Sequence, residues 1–438
     1  MILPADFINN IKRDYKPLDA EKILESYQSI ENKSDQSSKY PIRHSIRLNQ
    51  KKVSKLDNEQ KSLLDDLLID SESIPWSKNG HYLKERPDYS KEPLYKLGVY
   101  YPQESSSMIL EWFFRELQKN LLFKKELKIL DLCSAPGGKS LILADLLELE
   151  SGDCLISNEI NPHRNKNLRE VVSSWETNNI IITKNKPTSF EKMNEFFDYV
   201  IVDAPCSGEG MFRKNPETIA EWSLKNVEIN ARRQREILHS AACTLSVSGI
   251  LVYSTCTLNK QENEEIAEWL ESNYDMEVIE FENLPNDQTH QIIETKKGCY
   301  HLINPFVQGE GLFVVTMQKK SSLKIDHKKR QEENQIWAKL KGRKLNNNPK
   351  STSWQKEAPI IHYENNQQII HAWQAEYPNL EWSVYNLTRL DEIDYILIPK
   401  TLKSLYEIIN DNLSITRSPV ELGTLYRRDI KTLKKFLA

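Results

Sequence analysis

At 438 residues, with 28% charged and 39% hydrophobic side chains, the chain is too long for one ordinary domain and too apolar for wholesale disorder. Its mean hydropathy of −0.60 fits a wet surface and argues against a membrane protein. The net charge of −4 argues mildly against nucleic acid, but residues 319–350 hold eleven Lys/Arg and three Asp/Glu, a local +8 that leaves −12 elsewhere.

Met1-Ile2-Leu3-Pro4-Ala5-Asp6 meets Pro and Asp before an apolar run can build, so no secretory leader is expected. Residues 4–30 read as one amphipathic helix with Phe7, Ile8 and Ile11 on its apolar face. The Ser/Lys-rich stretch 32–41 reads as a loop, Ser45–Asn49 as a short strand, and the residues from Asp57 to Ile69 as a helix capped by Asp57. These make a small α+β subdomain over 1–124.

From 125 to 318 short apolar runs alternate with helical stretches. The expected strands are Lys128–Leu132, Cys154–Asn158, Ile180–Thr183, Tyr199–Val202 and Ile250–Ser254. Helices are expected at Lys139–Leu149, Trp222–Leu245 and Glu262–Ser272, and β-rich stretches at Met276–Phe281 and Leu312–Met317. Such alternation implies an α/β parallel sheet covered on both faces. Closed by a late hairpin, it has the layout of a class I, Rossmann-like methyltransferase with a seven-stranded sheet. A basic linker over 319–355 and a small C-terminal unit over 356–438 complete the chain. The linker reads either as a solvated tether or as a contact to RNA phosphates.

From Ile237 to Asn259 no side chain is charged, yet His239, Thr244, Ser248 and Asn259 make the stretch too polar for a bilayer. Six cysteines stand at 133, 154, 206, 243, 256 and 299 without a CxxC pair. Neither zinc nor a disulfide framework is expected, and reduced thiols in the cytoplasm are the default.

The chemistry gathers at strand ends. Asp131-Leu132-Cys133-Ser134-Ala135-Pro136-Gly137-Gly138-Lys139 follows one strand and opens a helix, where glycines and free N–H groups favour a nucleoside cofactor. Glu159 ends the next strand, placed to accept from ribose hydroxyls. The motif is not GxGxxG, which disfavours NAD. Phe197–Gly208 ends in Asp203-Ala204-Pro205-Cys206, and fifty residues later Tyr253–Thr257 ends in Thr255-Cys256. Neighbouring strands of a doubly wound sheet would turn both thiols and the carboxylate toward one crevice.

That set suits methylation at carbon 5 of cytosine, a poor nucleophile until a thiolate adds to carbon 6. Asp203 could hold the base as charge develops at N3, and cationic neighbours could lower a thiol's pKa. The alternative, that the cysteines are small core hydrophobes, suits Cys154 and Cys243 within their apolar runs.

The sequence resembles the Sun/Nop family of RNA 5-methylcytosine methyltransferases, and within it the bacterial RsmF branch acting on 16S ribosomal RNA. The resemblance rests on Leu130–Ser140, Phe197–Pro216 and Gly249–Glu264. Weaker matches are Ser45–Asn49, the Trp76–Met108 segment with Tyr101-Pro102-Gln103-Glu104-Ser105-Ser106, and Asn304–Phe313 with Gly309-Glu310-Gly311. It implies S-adenosyl-L-methionine as cofactor, Cys256 as nucleophile, Cys206 assisting product release, and Asp203 and Lys139 at the reaction centre. Cys133, Ser134, Ala135, Pro136, Gly137, Gly138, Lys139, Glu159, Arg164 and Asp203 would contact the cofactor. Asn185 stands where the family carries an Asp near the adenine. The resemblance further implies a PUA-like RNA-binding C-terminal unit, an RNA partner and a cytoplasmic monomer.

Three alternatives stay open. A DNA cytosine-5 methyltransferase would make Cys206 the attacker, a transfer-RNA enzyme would have the same site, and a non-catalytic ribosome-assembly factor could retain the fold.

Overall fold

The computed structural model describes residues 3–28, 39–120, 126–148, 152–177 and 179–322, and in the C-terminal part 382–389, 392–399, 413, 415–417 and 420–426. The single helix expected over 4–30 is two, α1 (Ala5–Asp14) and α2 (Pro17–Gln28). Pro17 causes the break. It disfavours helical geometry at Lys16 and, lacking an N–H, suits the first position of a new helix. The apolar face is as read: Phe7 and Ile11 are buried, packed with Tyr27, Phe212, Trp222 and Leu258.

Strand β1 (Ser45–Leu48) sits inside a small antiparallel sheet with β2 (Glu72–Ser73), β3 (Gly80–Tyr82) and β4 (Tyr100–Pro102), in the order β2-β3-β1-β4. Around it lie α3 (Gln50–Val53), α4 (Asn58–Leu67) and α5 (Pro93–Lys96). Asp57 caps α4 in a reciprocal box with Gln60. Helix α6 (Ile109–Lys119), for which the sequence pattern predicts no element, buries Ile109, Leu110, Phe113, Phe114 and Leu117.

The N-terminal region is welded to the α/β region. Arg47 on β1 is fully buried, with Nη1 2.6 Å from Glu111 Oε2 and Nη2 2.9 Å from Asp145 Oδ2. Asp145 also accepts from the Trp175 indole at 2.8 Å. One cation thus ties β1 to three helices.

The main sheet contains β5 (Lys128–Asp131), β6 (Cys154–Asn158), β7 (Ile180–Thr183), β8 (Phe197–Asp203) and β9 (Leu245–Thr255), parallel in the order β7-β6-β5-β8-β9. Helices α7 (Gly138–Leu146), α8 (Pro162–Trp175), α9 (Leu224–Thr244) and α10 (Glu264–Tyr274) connect or follow these strands. Beyond β9 come the antiparallel β13 (Leu312–Lys319), which was expected, and then β12 (Cys299–Leu302), which was not. Strands β10 (Met276–Val278), β11 (Ile293–Lys296) and β16 (Ile415–Arg417) extend the sheet. The near-continuous apolar runs reflect burial on both faces. The order reverses at β5/β8, which opens a crevice above the strand ends.

Of the expected basic linker over 319–355, residues 319–322 are described. Strand β13 runs through Lys319, whose ammonium is buried and donates to the carbonyls of Ala242 at 3.1 Å and Leu245 at 2.8 Å. Residues 323–381 lie outside the described residues. Of the expected PUA-like unit, the described residues show an antiparallel sheet of β14 (Trp382–Arg389), β15 (Glu392–Pro399) and β17 (Val420–Tyr426). The uncharged stretch 237–259 is the end of α9 and strand β9 with the turn after it. Among the described residues no helix is long and apolar enough to cross a membrane.

Candidate active site

Strands β8 and β9 pair in parallel with Asp203 opposite Ser254. Cys206 follows Asp203 by three residues and Cys256 follows Ser254 by two, so both thiols leave the sheet at one edge. Their sulfurs are 3.3 Å apart and both residues are partly exposed. The bond to Cys256, then burial, pushes the Cys206 thiol well above its ordinary value.

Beside the thiols, Lys139 Nζ lies 2.8 Å from Asp203 Oδ2, and Ser254 donates to Asp203 Oδ1 at 2.8 Å. Burial alone would lower the Lys139 pKa, but Asp203 outweighs it and the net shift is upward. A lysine fixed as a cation against a half-open carboxylate offers a donor and an acceptor to a planar polar ligand.

The loop after β5 turns at Gly137, whose φ of +123° suits glycine. A Cβ there would stand 3.1 Å from Leu168 on α8, and one at Gly138 would stand 3.2 Å from Gln103 and Tyr101. Gly138 thus admits the N-terminal region to the crevice. The Gln103 Oε1 and Ser106 Oγ atoms are buried without partners.

Glu159, nearly buried, accepts from the Asn161 N–H at 2.7 Å and faces Arg164 at 3.4 Å, while Arg164 also donates to the Ala135 carbonyl. Ser134 N–H bonds the Asn158 carbonyl at 2.9 Å. Asn158 in turn grips the backbone of Asn185 through its N–H at 2.9 Å and its carbonyl at 3.0 Å. The loops after β5, β6 and β7 are thereby laced together. Pro136 is exposed, and burial pushes the Cys133 thiol up, which makes it a poor nucleophile. Asp131, beneath the loop, is driven to about 7 by burial.

All the sequence-derived candidates lie at the carboxyl ends of β5–β9, and the two thiols, Asp203 and Lys139 form one cluster. Cys154, Cys243 and Cys299 are buried elsewhere. Sequence reasoning missed Glu209, Asn259 and Glu262, which are buried behind the thiols. Their only signal was their place inside the two thiol motifs. Among the described residues no cluster of His, Cys, Asp and Glu could hold a metal ion.

Residues 119–318 match the family model "16S rRNA methyltransferase RsmB/F", and residues 3–105 match "N-terminal domain of 16S rRNA methyltransferase RsmF". The chain belongs to the RsmB/F methyltransferase family. Among curated relatives, the "Ribosomal RNA small subunit methyltransferase F" of Pectobacterium carotovorum is 31% identical over 73% of this chain and 63% of its own length. That of Salmonella agona is 35% identical over 65% of this chain and 58% of its own. The chain thus spans about three fifths of the curated relatives it matches. Among solved structures, "NSun6 from Pyrococcus horikoshii with SFG" aligns with a TM-score of 0.58 at 19% identity, covering 73% of this chain and 99% of that one. A methyltransferase homologue from the same organism gives 0.53 at 24%, covering 72% and 100%. These likenesses support the class I methyltransferase fold.

Proposed function

We propose that this family member transfers a methyl group from S-adenosyl-L-methionine to carbon 5 of a cytosine in RNA, with 16S ribosomal RNA as substrate and the cytoplasm as its place of action. The 3.3 Å contact between Cys206 and Cys256, beside the Lys139–Asp203 pair, carries the reading. The names of the curated relatives support the RNA.

The crevice suits the cofactor chemically. The half-open Asp203 carboxylate suits a positively charged ligand, Glu159 suits ribose hydroxyls, and Gln103 offers a buried acceptor. When bound, the cofactor supplies an electrophilic methyl group. The Pro136–Lys139 loop and Glu159 would hold it, with Asn185 on the adenine side.

Cys256 adds to carbon 6 and makes carbon 5 nucleophilic. Asp203, fixed by Lys139 and Ser254, bonds the base edge and favours a proton at N3. After methylation the carbon 5 proton leaves and the carbon–sulfur bond breaks, with Cys206 assisting. The division follows the two motifs, with the thiol after Thr255 as attacker and the thiol after Pro205 assisting release.

Variants test the assignment with 16S ribosomal RNA carrying 5-azacytidine, whose ring has no carbon 5 proton to lose. Cys256→Ala should give no protein–RNA adduct on denaturing gels. On natural RNA, Cys206→Ala should accumulate an adduct and stall. Adduct with Cys256→Ala and none with Cys206→Ala would make Cys206 the nucleophile.

A further inference from the structure

The two thiols sit on separate loops, and a reciprocal pair of carboxylates joins those loops from behind. Glu209 belongs to the Cys206 loop, yet its Oε2 accepts from the backbone N–H of Leu258, two residues after Cys256, at 2.9 Å. Glu262 belongs to the turn after Cys256, yet its Oε1 accepts from the N–H of Ser207, the residue after Cys206, at 3.0 Å. Each loop lends a carboxylate to the backbone of the other. The Asn259 amide nitrogen reaches both, 3.0 Å from Glu209 Oε1 and 2.7 Å from Glu262 Oε2. Gln234 on α9 closes the ring, donating to Glu262 at 2.8 Å and to the Pro205 carbonyl at 3.0 Å. Gly210 N–H holds the Cys256 carbonyl at 2.9 Å, and a Cβ at Gly210 would stand 2.9 Å from that oxygen.

This is a costly way to join two loops. Glu209 and Glu262 are about 1% and 0% exposed, and among the described residues neither forms an ion pair with a cation. Two buried carboxylates that share one amide lose much hydration and repel each other, so a hydrophobic contact would stabilise the loops at lower cost. What the carboxylates add is direction: each fixes one N–H next to a reacting thiol.

We propose that Glu262 is a positioning residue which, with Glu209 as its reciprocal partner through Asn259, sets the separation of Cys206 and Cys256. This rests on reading the two thiols as the reacting pair. Burial places the Glu262 carboxyl at about 7, so its charge is sensitive to any change in this packing.

A trivalent arsenical tests the separation without any methyl transfer, because it bridges only thiols held side by side. Phenylarsine oxide should bind the full-length parent one to one and protect both cysteines from alkylation, and Cys206→Ser should abolish this. Glu262→Ala should weaken arsenical binding at least tenfold and lower kcat at least tenfold, with the KM for S-adenosyl-L-methionine within twofold. Glu262→Gln keeps an acceptor for Ser207 but turns an amide toward Asn259, and should fall between the two. It also serves as the test if the Ala variant does not fold. Folded variants whose arsenical affinity and kcat both stay within twofold of the parent would overturn the proposal. A parent that binds the arsenical but methylates no RNA would overturn the proposed function and leave the positioning role standing.

Discussion

Asp131 closes β5 below the cofactor loop, fully buried, accepting from Ser140 at 2.7 Å through Oδ2 while Oδ1 has no partner. Burial raises its pKa from 3.8 to about 7. The folded chain therefore binds more protons than the unfolded chain between those values, and stability falls as pH rises through that window. Below about 4 both states are protonated and the penalty vanishes; above 7 it is complete. The shift corresponds to about 2 kcal/mol of lost stability at pH 5 and about 4 kcal/mol at pH 8. Asp131→Asn removes the titration. It also buries an amide nitrogen, which adds a cost of its own that does not change with pH. The test is thus the slope: urea titrations from pH 5 to pH 8 should show the variant gaining about 2–3 kcal/mol on the parent. Parallel pH profiles would refute the buried, proton-holding carboxyl.

Arg47→Met should leave the buried Glu111 carboxylate with Arg115 alone and take the cation from the partly exposed Asp145. A cost of about 3–5 kcal/mol is expected in thermal unfolding, and a loss under about 1 kcal/mol would show that the clamp is not a structural tie. Glu159→Ala should weaken S-adenosyl-L-methionine binding about tenfold or more by calorimetry, roughly 1.4 kcal/mol. Unchanged affinity would mean that the crevice is misassigned.

The main sheet was legible because its strands are buried on both faces and write themselves as apolar runs. Cys154–Asn158 and Ile180–Thr183 were read to the residue. The thiol pair was legible for a related reason: each cysteine follows an apolar run, and parallel neighbours bring equivalent ends together. Other features depended on partners far along the chain. The hairpin of β11 and β12 turns at Gly298, with φ +68°, and its Ile293-Glu294-Thr295-Lys296 strand is too polar to stand out. The two-helix N-terminus was written locally, in Pro17, but amphipathic periodicity runs through a proline and hides the break.

Domain boundaries were obscured more deeply. The first hundred residues differ in pattern from the α/β region and read as a separate subdomain, yet Ile74, Trp76 and Tyr82 share one apolar cluster with Ile129, Leu141 and Ile201. Composition reports what each segment is made of, whereas a shared core depends on which surfaces meet. The same gap hid Glu209 and Glu262. In sequence they are acids in polar loops, which are most often solvated. Only the return of the chain fifty residues later buries them, and their hydrogen bonds then fall on the backbone beside the two cysteines. Motif reading therefore finds the atoms that could react more readily than the groups that hold them in place, because reactive residue types are rare while positioning is done by common side chains at unforeseen partners.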